Sequence, residues 1–386
     1  MKKIGFIINP IAGMGGRVGL KGTDSKEIQN EARKRGATPI AADRTLRFLN
    51  HFSKFPEAKN AEFLIPKGKM GETIFLSFSQ KKHNIEFSVL HDIIIPNSTT
   101  PRETISCVKK LTYLKVDLII FVGGDGTARD VHQALKSPIP ILGIPSGVKM
   151  HSGVFAQNPE KGAEILRKFV NEDINFMESE IIDLNEEKFR EDSIQTKLYG
   201  LGIIPYVPTL MQSTKLMTQI NDTELENIEG IIKTLKTLII KDVIYILGAG
   251  STIKQVSKAF GSVIFSNKTI LGIDAVINGI FLEKDLSEND LLRILKKNQD
   301  KEAILVITPI GGQGFILGRG NQQISANVLR IIGLNNILII ATKNKIHNLE
   351  EKTLHVDTGD LQLDKALTGY VKVLVDFEEY LMVKIT

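Results

Sequence analysis

The strongest chemical signal in the chain is the run Gly123-Gly124-Asp125-Gly126-Thr127, which sits between an apolar stretch and a helix-forming one. Glycines let backbone N–H groups approach phosphate oxygens, and a helix N-terminus adds partial positive charge. A carboxylate placed there repels phosphate unless Mg2+ intervenes or the group takes a proton from an attacking hydroxyl. The set points to phosphoryl transfer, with Asp125 as catalytic base and Gly123, Gly124, Gly126 and Thr127 around the phosphates. The plainer alternative is a tight strand-to-helix turn with Asp125 as N-cap. Two glycines before the Asp and one after exceed what capping needs.

A second loop, Asn9-Pro10-Ile11-Ala12-Gly13-Met14-Gly15-Gly16, follows another apolar run. It fits neither the dinucleotide GxGxxG pattern, since Val18 holds the third glycine position, nor the Walker A spacing. Loop flexibility alone would account for such glycines. Beside the Asp125 loop, Asn9, Gly13, Gly15 and Gly16 suggest a second wall of one phosphate pocket. Gly248-Ala249-Gly250-Ser251-Thr252 is a third such loop, with a helix N-cap at Ser251 as its plain reading. All three follow apolar strands, so all three are expected to lie at carboxyl edges and face one cleft. Lys149, His151 and Ser152 come after a Pro-Ser-Gly turn. There Lys149 could neutralise phosphate and His151 orient a hydroxyl, although lone residues of these types are as often solvated or structural. Arg319, within the glycine-rich stretch Gly311 to Gly320, could grip phosphate bidentately, or the stretch is a structural loop.

These loops need a scaffold that presents strand ends. Asp117 to Val122 is a continuous apolar run of the kind buried on both faces of a parallel sheet. The segment before it reads as a helix capped by Ser98 or Thr99 with Pro101 in its first turn. After the Asp125 loop a helix is expected from about Ala128, then a strand at Ile141 to Ile144. This is a βαβ unit of a doubly wound sheet. Other expected strands are Ile4 to Ile8, Ala61 to Ile65, Ile85 to Leu90 and Ile93 to Ile95. Expected helices include Ser25 to Arg35, with Asp24 and Glu27 as capping box, a weaker one at Leu46 to Phe52, and Pro159 to Val170. A second alternation begins at Val243. The fold class is α/β, a Rossmann-like domain over 1–147 and a second mixed α/β domain over 148–386, whose last strands return to the first domain.

At 386 residues the chain is too long for one core, and two domains are expected. A net charge of +5 is mild and would favour anionic small molecules as readily as nucleic acid. Dispersed Lys and Arg, the absence of Trp and the lack of zinc or helix-turn-helix signatures disfavour nucleic acid. No His/Cys cluster suits a structural metal. The single Cys107 cannot form an internal disulfide, the opening apolar run is too short for a signal peptide, and the Ile231 to Leu247 stretch is broken by charges. A cytoplasmic protein without membrane partners, assembled as a homo-oligomer, is expected.

The Asp125 loop resembles the hallmark of the superfamily that holds NAD kinases, diacylglycerol and sphingosine kinases, and phosphofructokinases. Further segments resemble the archaeal and bacterial branch of ATP- or polyphosphate-dependent NAD kinases: Gly13 to Asp24, Gly123 to Asp130, Gly143 to Ser152, Gly248 to Thr252, and Thr308 through Gln323. They span nearly the whole chain in order. The resemblance implies transfer of phosphate from ATP or polyphosphate, with Mg2+, to NAD, giving NADP. Asp125 would act toward the adenosine ribose 2′-hydroxyl, and Gly250, Ser251 and Thr252 would lie near bound nucleotide. Lys149, His151, Ser152 and Arg319 are the candidate substrate contacts. The chain departs from the family pattern in two ways. The Asn-Glu pair that holds substrate ribose has no counterpart, since Asn185-Glu186 falls in another context. The C-terminal half also alternates strand with helix where the family has a β-sandwich, so at most part of it is expected to be one. A lipid or other metabolite kinase, and a nucleotide-binding regulator without turnover, are the alternatives.

Overall fold

The computed structural model describes residues 1–19, 26–80, 85–96, 98–147, 150–184, 196–208, 210–211, 222–261 and 272–386. Contacts divide the chain into two units, Met1–Met14 with Thr38–Thr214, and Gly15–Ala37 with Lys215–Thr386.

In the first unit, β1 (Lys2–Ile8), β2 (Ala61–Pro66), β3 (Glu86–Leu90), β4 (Leu118–Gly123) and β5 (Ile141–Pro145) pair in parallel in the order β3-β2-β1-β4-β5. This is the doubly wound sheet expected from the sequence. The helix after β1 in the chain, α1 (Lys26–Lys34), belongs to the second unit, and Asp24 of its expected capping box lies outside the described residues. Around the first sheet run α2 (Ala41–Phe52), α3 (Glu72–Ser79), α4 (Pro101–Tyr113), α5 (Asp125–Ala134) and α6 (Pro159–Val170). Every residue of β4 is buried. Phe6 on β1 meets Phe48, Phe63 and Phe75 at ring-centroid distances of 5.5, 5.9 and 5.3 Å, so aromatic rings from helix and strand fill one core.

Several local expectations need correction. Ile93 to Ile95 form no strand. The cap of α4 is Thr100, not Ser98 or Thr99, because only Thr100 has a glutamate three residues on: its own N–H donates to Glu103 Oε2 at 2.6 Å. From Ser98 that position falls on Pro101, which has no N–H, and from Thr99 on Arg102, which cannot accept. Helix α5 starts at Asp125, three residues earlier than expected, with Gly124 as its N-cap. The first unit also continues beyond residue 147. Gly143 accepts from the Ala156 N–H at 3.0 Å and donates to Val154 at 2.8 Å, and the ribbon of β6 (Asn175–Leu184) and β7 (Thr196–Tyr206) packs into the same core. At Gly143 a Cβ would stand 2.3 Å from Phe155 and 2.9 Å from Phe121. Gly143→Ala therefore overpacks this aromatic pair and lowers unfolding free energy by about 1–3 kcal/mol, read as a fall in the urea midpoint at unchanged slope.

In the second unit β8 (Ile244–Leu247), β9 (Asp274–Ile277), β10 (Ile280–Glu283), β11 (Ala303–Ile307), β12 (Phe315–Leu317), β13 (Ile337–Ile340), β14 (Thr353–Val356), β15 (Gly369–Asp376) and β16 (Glu379–Ile385) form one sheet. The order is β10-β9-β8-β11-β13-β15-β16-β14-β12, with β8, β11, β13 and β15 mutually parallel. The last strands thus pair here, and do not return to the first sheet. Alternate residues of β8 separate onto two cores. Ile244 and Ile246 pack with Leu291, Ile294, Val328 and Leu329 of α9 (Glu288–Lys297) and α10 (Ala326–Ile332). Tyr245 and Leu247 pack with Ile231, Leu235, Ile253 and Val256 of α7 (Asp222–Leu238) and α8 (Ser251–Val256). A sheet covered by helices on both faces is a mixed α/β layer and not a sandwich of two sheets. Two short helices, α11 (Lys343–His347) and α12 (Leu361–Leu367), also belong to this unit.

Candidate active site

Strand order in the first sheet reverses between β1 and β4, which are neighbours whose helical connections lead away in opposite directions. Open α/β sheets bind ligands at the carboxyl ends of such a pair. The loop after β1 begins with Asn9, and the loop after β4 holds Gly124 and Asp125. They are tied together: Asn9 Nδ2 donates to Thr127 Oγ1 at 2.9 Å, and Asn9 N–H donates to Val122 O at 3.0 Å. Gly123 allows this, since a Cβ there would lie 2.4 Å from Thr127 Oγ1. Gly13 takes a left-handed φ of +77° beside Ile40 and the Ser146 carbonyl, each 2.3 Å from where its Cβ would be. Gly126 is different. A Cβ there would meet nothing nearer than 3.8 Å, so packing within the protein does not demand a glycine.

Asp125 is buried, with 5% of its surface exposed. It is not the helix cap; that position is Gly124, so the plain reading of Asp125 as an N-cap fails. Its carboxylate is instead received by the turn after β5. His151 N–H donates to Oδ2 at 2.6 Å, and Ser152 donates to Oδ1 through N–H at 3.0 Å and Oγ at 2.7 Å. Ser152 Oγ also lies 2.8 Å from Ile182 O and accepts from Ile182 N–H at 3.0 Å, which anchors the turn to β6. Burial pushes the Asp125 carboxyl up to about 7, outweighing the hydrogen bonds from Ser152 and His151, and the charge of Asp183 adds to the rise. Asp183 is itself paired with Arg129 Nη1 at 2.6 Å. A carboxylate has about four acceptor sites. The three donors leave Asp125 room to accept one hydroxyl proton.

The expected site residues divide between the units. Asn9, Gly13, Gly123, Gly124, Asp125, Gly126, Thr127, His151 and Ser152 belong to the first unit. The geometry brings Asn9 to Thr127 and the backbone of His151 and Ser152 to Asp125. Gly15, Gly16, Gly250, Ser251, Thr252 and Arg319 belong to the second. There Gly16 packs against the Gln322 side chain, and the Arg319 guanidinium lies 4.0 Å above the Phe315 ring. Lys149 and Asn185-Glu186 lie outside the described residues.

Sequence reasoning assigned no role to Ser146. Its N–H donates to Gly123 O at 3.0 Å and its carbonyl abuts Gly13, so it stands between the two glycine loops. Its Oγ is buried with no hydrogen-bond partner among the described residues. An orphaned buried hydroxyl costs roughly 1–3 kcal/mol. Ser146→Ala should therefore raise the unfolding free energy of the ligand-free protein by about 1 kcal/mol. A lowered denaturation midpoint would show that the hydroxyl is satisfied in solution.

A family model described as the ATP-NAD kinase N-terminal domain matches residues 4–174, and one described as the ATP-NAD kinase C-terminal domain matches residues 240–385. No curated protein matches the chain significantly. Among solved structures, an NAD kinase from Archaeoglobus fulgidus in complex with ATP is 21% identical, over 32% of this chain and 42% of that one, with a TM-score of 0.18. A UDP-N-acetylglucosamine 2-epimerase is 11% identical over 95% of this chain and 87% of that one, with a TM-score of 0.25. Superpositions this poor carry no argument. The two family models, which follow each other in order and together take in most of the sequence, do: the chain belongs to the ATP-NAD kinase family.

Proposed function

We propose that the protein transfers a phosphoryl group to the adenosine ribose 2′-hydroxyl of NAD, with ATP or polyphosphate as donor. The observation that carries this reading is the Asp125 carboxylate at the sheet's switch point, buried, with one acceptor site unspent and a proton affinity near neutrality. The 2′-hydroxyl gives its proton to Asp125 Oδ2 as its oxygen bonds to the terminal phosphorus. The bond from that phosphorus to its bridging oxygen breaks, and the leaving phosphate keeps the electron pair. The His151–Ser152 turn fixes the carboxylate, and the glycine loops supply backbone N–H groups without side chains to obstruct phosphate.

Mg2+ suits this arrangement as an ion held chiefly by substrate. Among the described residues no group of three His, Cys, Asp or Glu could hold a metal, and Mg2+ is commonly bound by one or two carboxylates plus phosphate oxygens. With the remaining acceptor site of Asp125 given to the hydroxyl proton, phosphate oxygens and water would hold the ion, which would neutralise phosphate charge. The test is a purified-protein assay with Mg2+ and either ATP or polyphosphate, offered NAD and a diacylglycerol or sphingoid base. NADP formation is expected. A phosphorylated lipid alone would move the acceptor to the lipid class, and nucleotide binding without any product would leave a regulator.

A further inference from the structure

A second carboxylate stands beside Asp125 and has no part in the transfer as written. Asp183 follows Ile182, whose N–H donates to Ser152 Oγ at 3.0 Å, the same hydroxyl that donates to Asp125 Oδ1. Strand β6 thereby brings Asp183 to the first turn of α5. Its Oδ2 is 3.9 Å, and Arg129 Nη2 is 3.8 Å, from the point a Cβ would occupy on Gly126, the residue after Asp125. The two carboxylates have opposite surroundings. Among the described residues Asp125 meets neutral donors, two backbone N–H groups and one hydroxyl. Asp183 meets a cation, with Arg129 Nη1 at 2.6 Å. Arg129 is held in turn by Asp130 at 3.2 Å and lies over the Tyr199 ring, 5.6 Å from its centroid.

Where two carboxyl groups are neighbours, unequal environments push their proton affinities apart. The one with a cation keeps its charge, and the other takes the proton. The other titratable groups at this corner are Asp130 and His132 on α5, His151 after β5, and Lys197 and Tyr199 on β7. Strand β4 carries no charge, and the buried face of α4, which also packs on α5, is Thr104, Cys107, Val108 and Leu111. We propose that Asp183, clamped by Arg129, is a positioning residue for the phosphoryl transfer, its fixed negative charge keeping the Asp125 carboxyl basic enough to take a proton at neutral pH. Burial is the larger source of that basicity, and the Asp183 charge adds to it. Removing the charge should therefore lower the Asp125 midpoint without returning it to the ordinary aspartate range. The inference rests on the phosphoryl-transfer reading only for what the proton transfer serves.

The test reads Asp125 directly, by NMR of the full-length protein with isotope-labelled aspartate carboxyl carbons. The Asp125 resonance is the one missing from Asp125→Asn, and its titration is compared in wild type, Asp183→Asn and Asp183→Glu. Asparagine keeps the volume and an oxygen for Arg129, and Asp130 still pairs with that guanidinium, so no charge is stranded. In Asp183→Asn the midpoint should fall by roughly half a pH unit or more, and the acid limb of kcat/KM should fall with it. In Asp183→Glu, which keeps the charge, both should stay with wild type. His151 and the other groups are the same in every variant and cancel in the differences. An unmoved midpoint in Asp183→Asn, whatever happens to stability, leaves Asp183 a strut for α5 and overturns the inference. So does an Asp183→Glu that moves as far as Asp183→Asn. Should Asp183→Asn not fold, Arg129→Gln removes the offsetting cation and must move the midpoint up, and an unmoved midpoint is the same refutation. Because the titration needs no turnover, a protein that makes no NADP yet shows the shift keeps this inference and sinks the kinase reading. NADP formation without the shift does the reverse.

Discussion

Asp125→Asn is expected to lower kcat on the order of a hundredfold or more, the usual range for loss of a general base. Asparagine keeps the volume and one carbonyl oxygen, but its amide end must face either the His151 or the Ser152 N–H, both of which now donate to the carboxylate. A lost bond of that kind costs about 1–3 kcal/mol. Removing a buried group that resists ionisation works in the other direction. Stability should therefore move little while turnover collapses, and metal-free nucleotide binding should hold or tighten because a negative charge facing phosphate is gone. A variant with near-wild-type kcat would reduce Asp125 to a clamp for the turn at 151–152. If kcat and thermal midpoint fall together, the comparison should be repeated below the variant's melting range before any catalytic claim is made.

The second large effect concerns pH. With the Asp125 carboxyl pushed up to about 7, the basic form is lost as pH falls through neutrality. The kcat/KM profile of the wild type should show an acid limb with its midpoint near pH 7, dropping about tenfold per unit below it. Stability responds with the opposite slope. Between the ordinary aspartate range and pH 7 the folded protein holds a proton that the unfolded chain has released, so this group's contribution favours folding at low pH. That contribution is lost as pH rises through the window, by about 1.4 kcal/mol per unit at most. The difference in unfolding free energy between wild type and Asp125→Asn isolates it. A pH-independent difference, together with an acid limb below pH 5, would place the carboxyl in the ordinary range and remove the argument for a base tuned to neutrality.

What could be read in advance was local. Helix α6 was legible to the residue, because Asn158 accepts from the Lys161 N–H at 2.8 Å, Pro159 opens the first turn, and the buried face recurs at helical spacing. Strand β4 was legible because a run buried on both faces has no polar interruptions. The start of α5 was missed by three residues since Gly124, which caps without a side chain, leaves no polar signature. Strands β10, β12 and β14 and helix α11 are too short to show a period. In the site, the chemistry of Asp125 was legible and its surroundings were not. Ser152 lies far along the chain from Asp125, and nothing in the sequence says that its hydroxyl binds the carboxylate. The orphaned hydroxyl of Ser146 is a property of packing alone.

The way the two units share the chain bears on how the protein is made. The chain passes from one unit to the other after residues 14, 37 and 214, so the segment from Gly15 to Ala37 is synthesised before the first unit is finished but packs with residues translated after it. Arg17, for example, pairs with Glu288 at 3.7 Å. On a ribosome adding about 5–20 residues per second, the first unit can close on itself while that segment hangs from it as an unpaired loop. The loop then waits on the order of ten seconds or more for its strands and helices to emerge. A nascent chain stalled near residue 214 should therefore be cut by protease within 15–37 and protected elsewhere in the first unit, a vulnerability that disappears once the remainder of the second unit has been made.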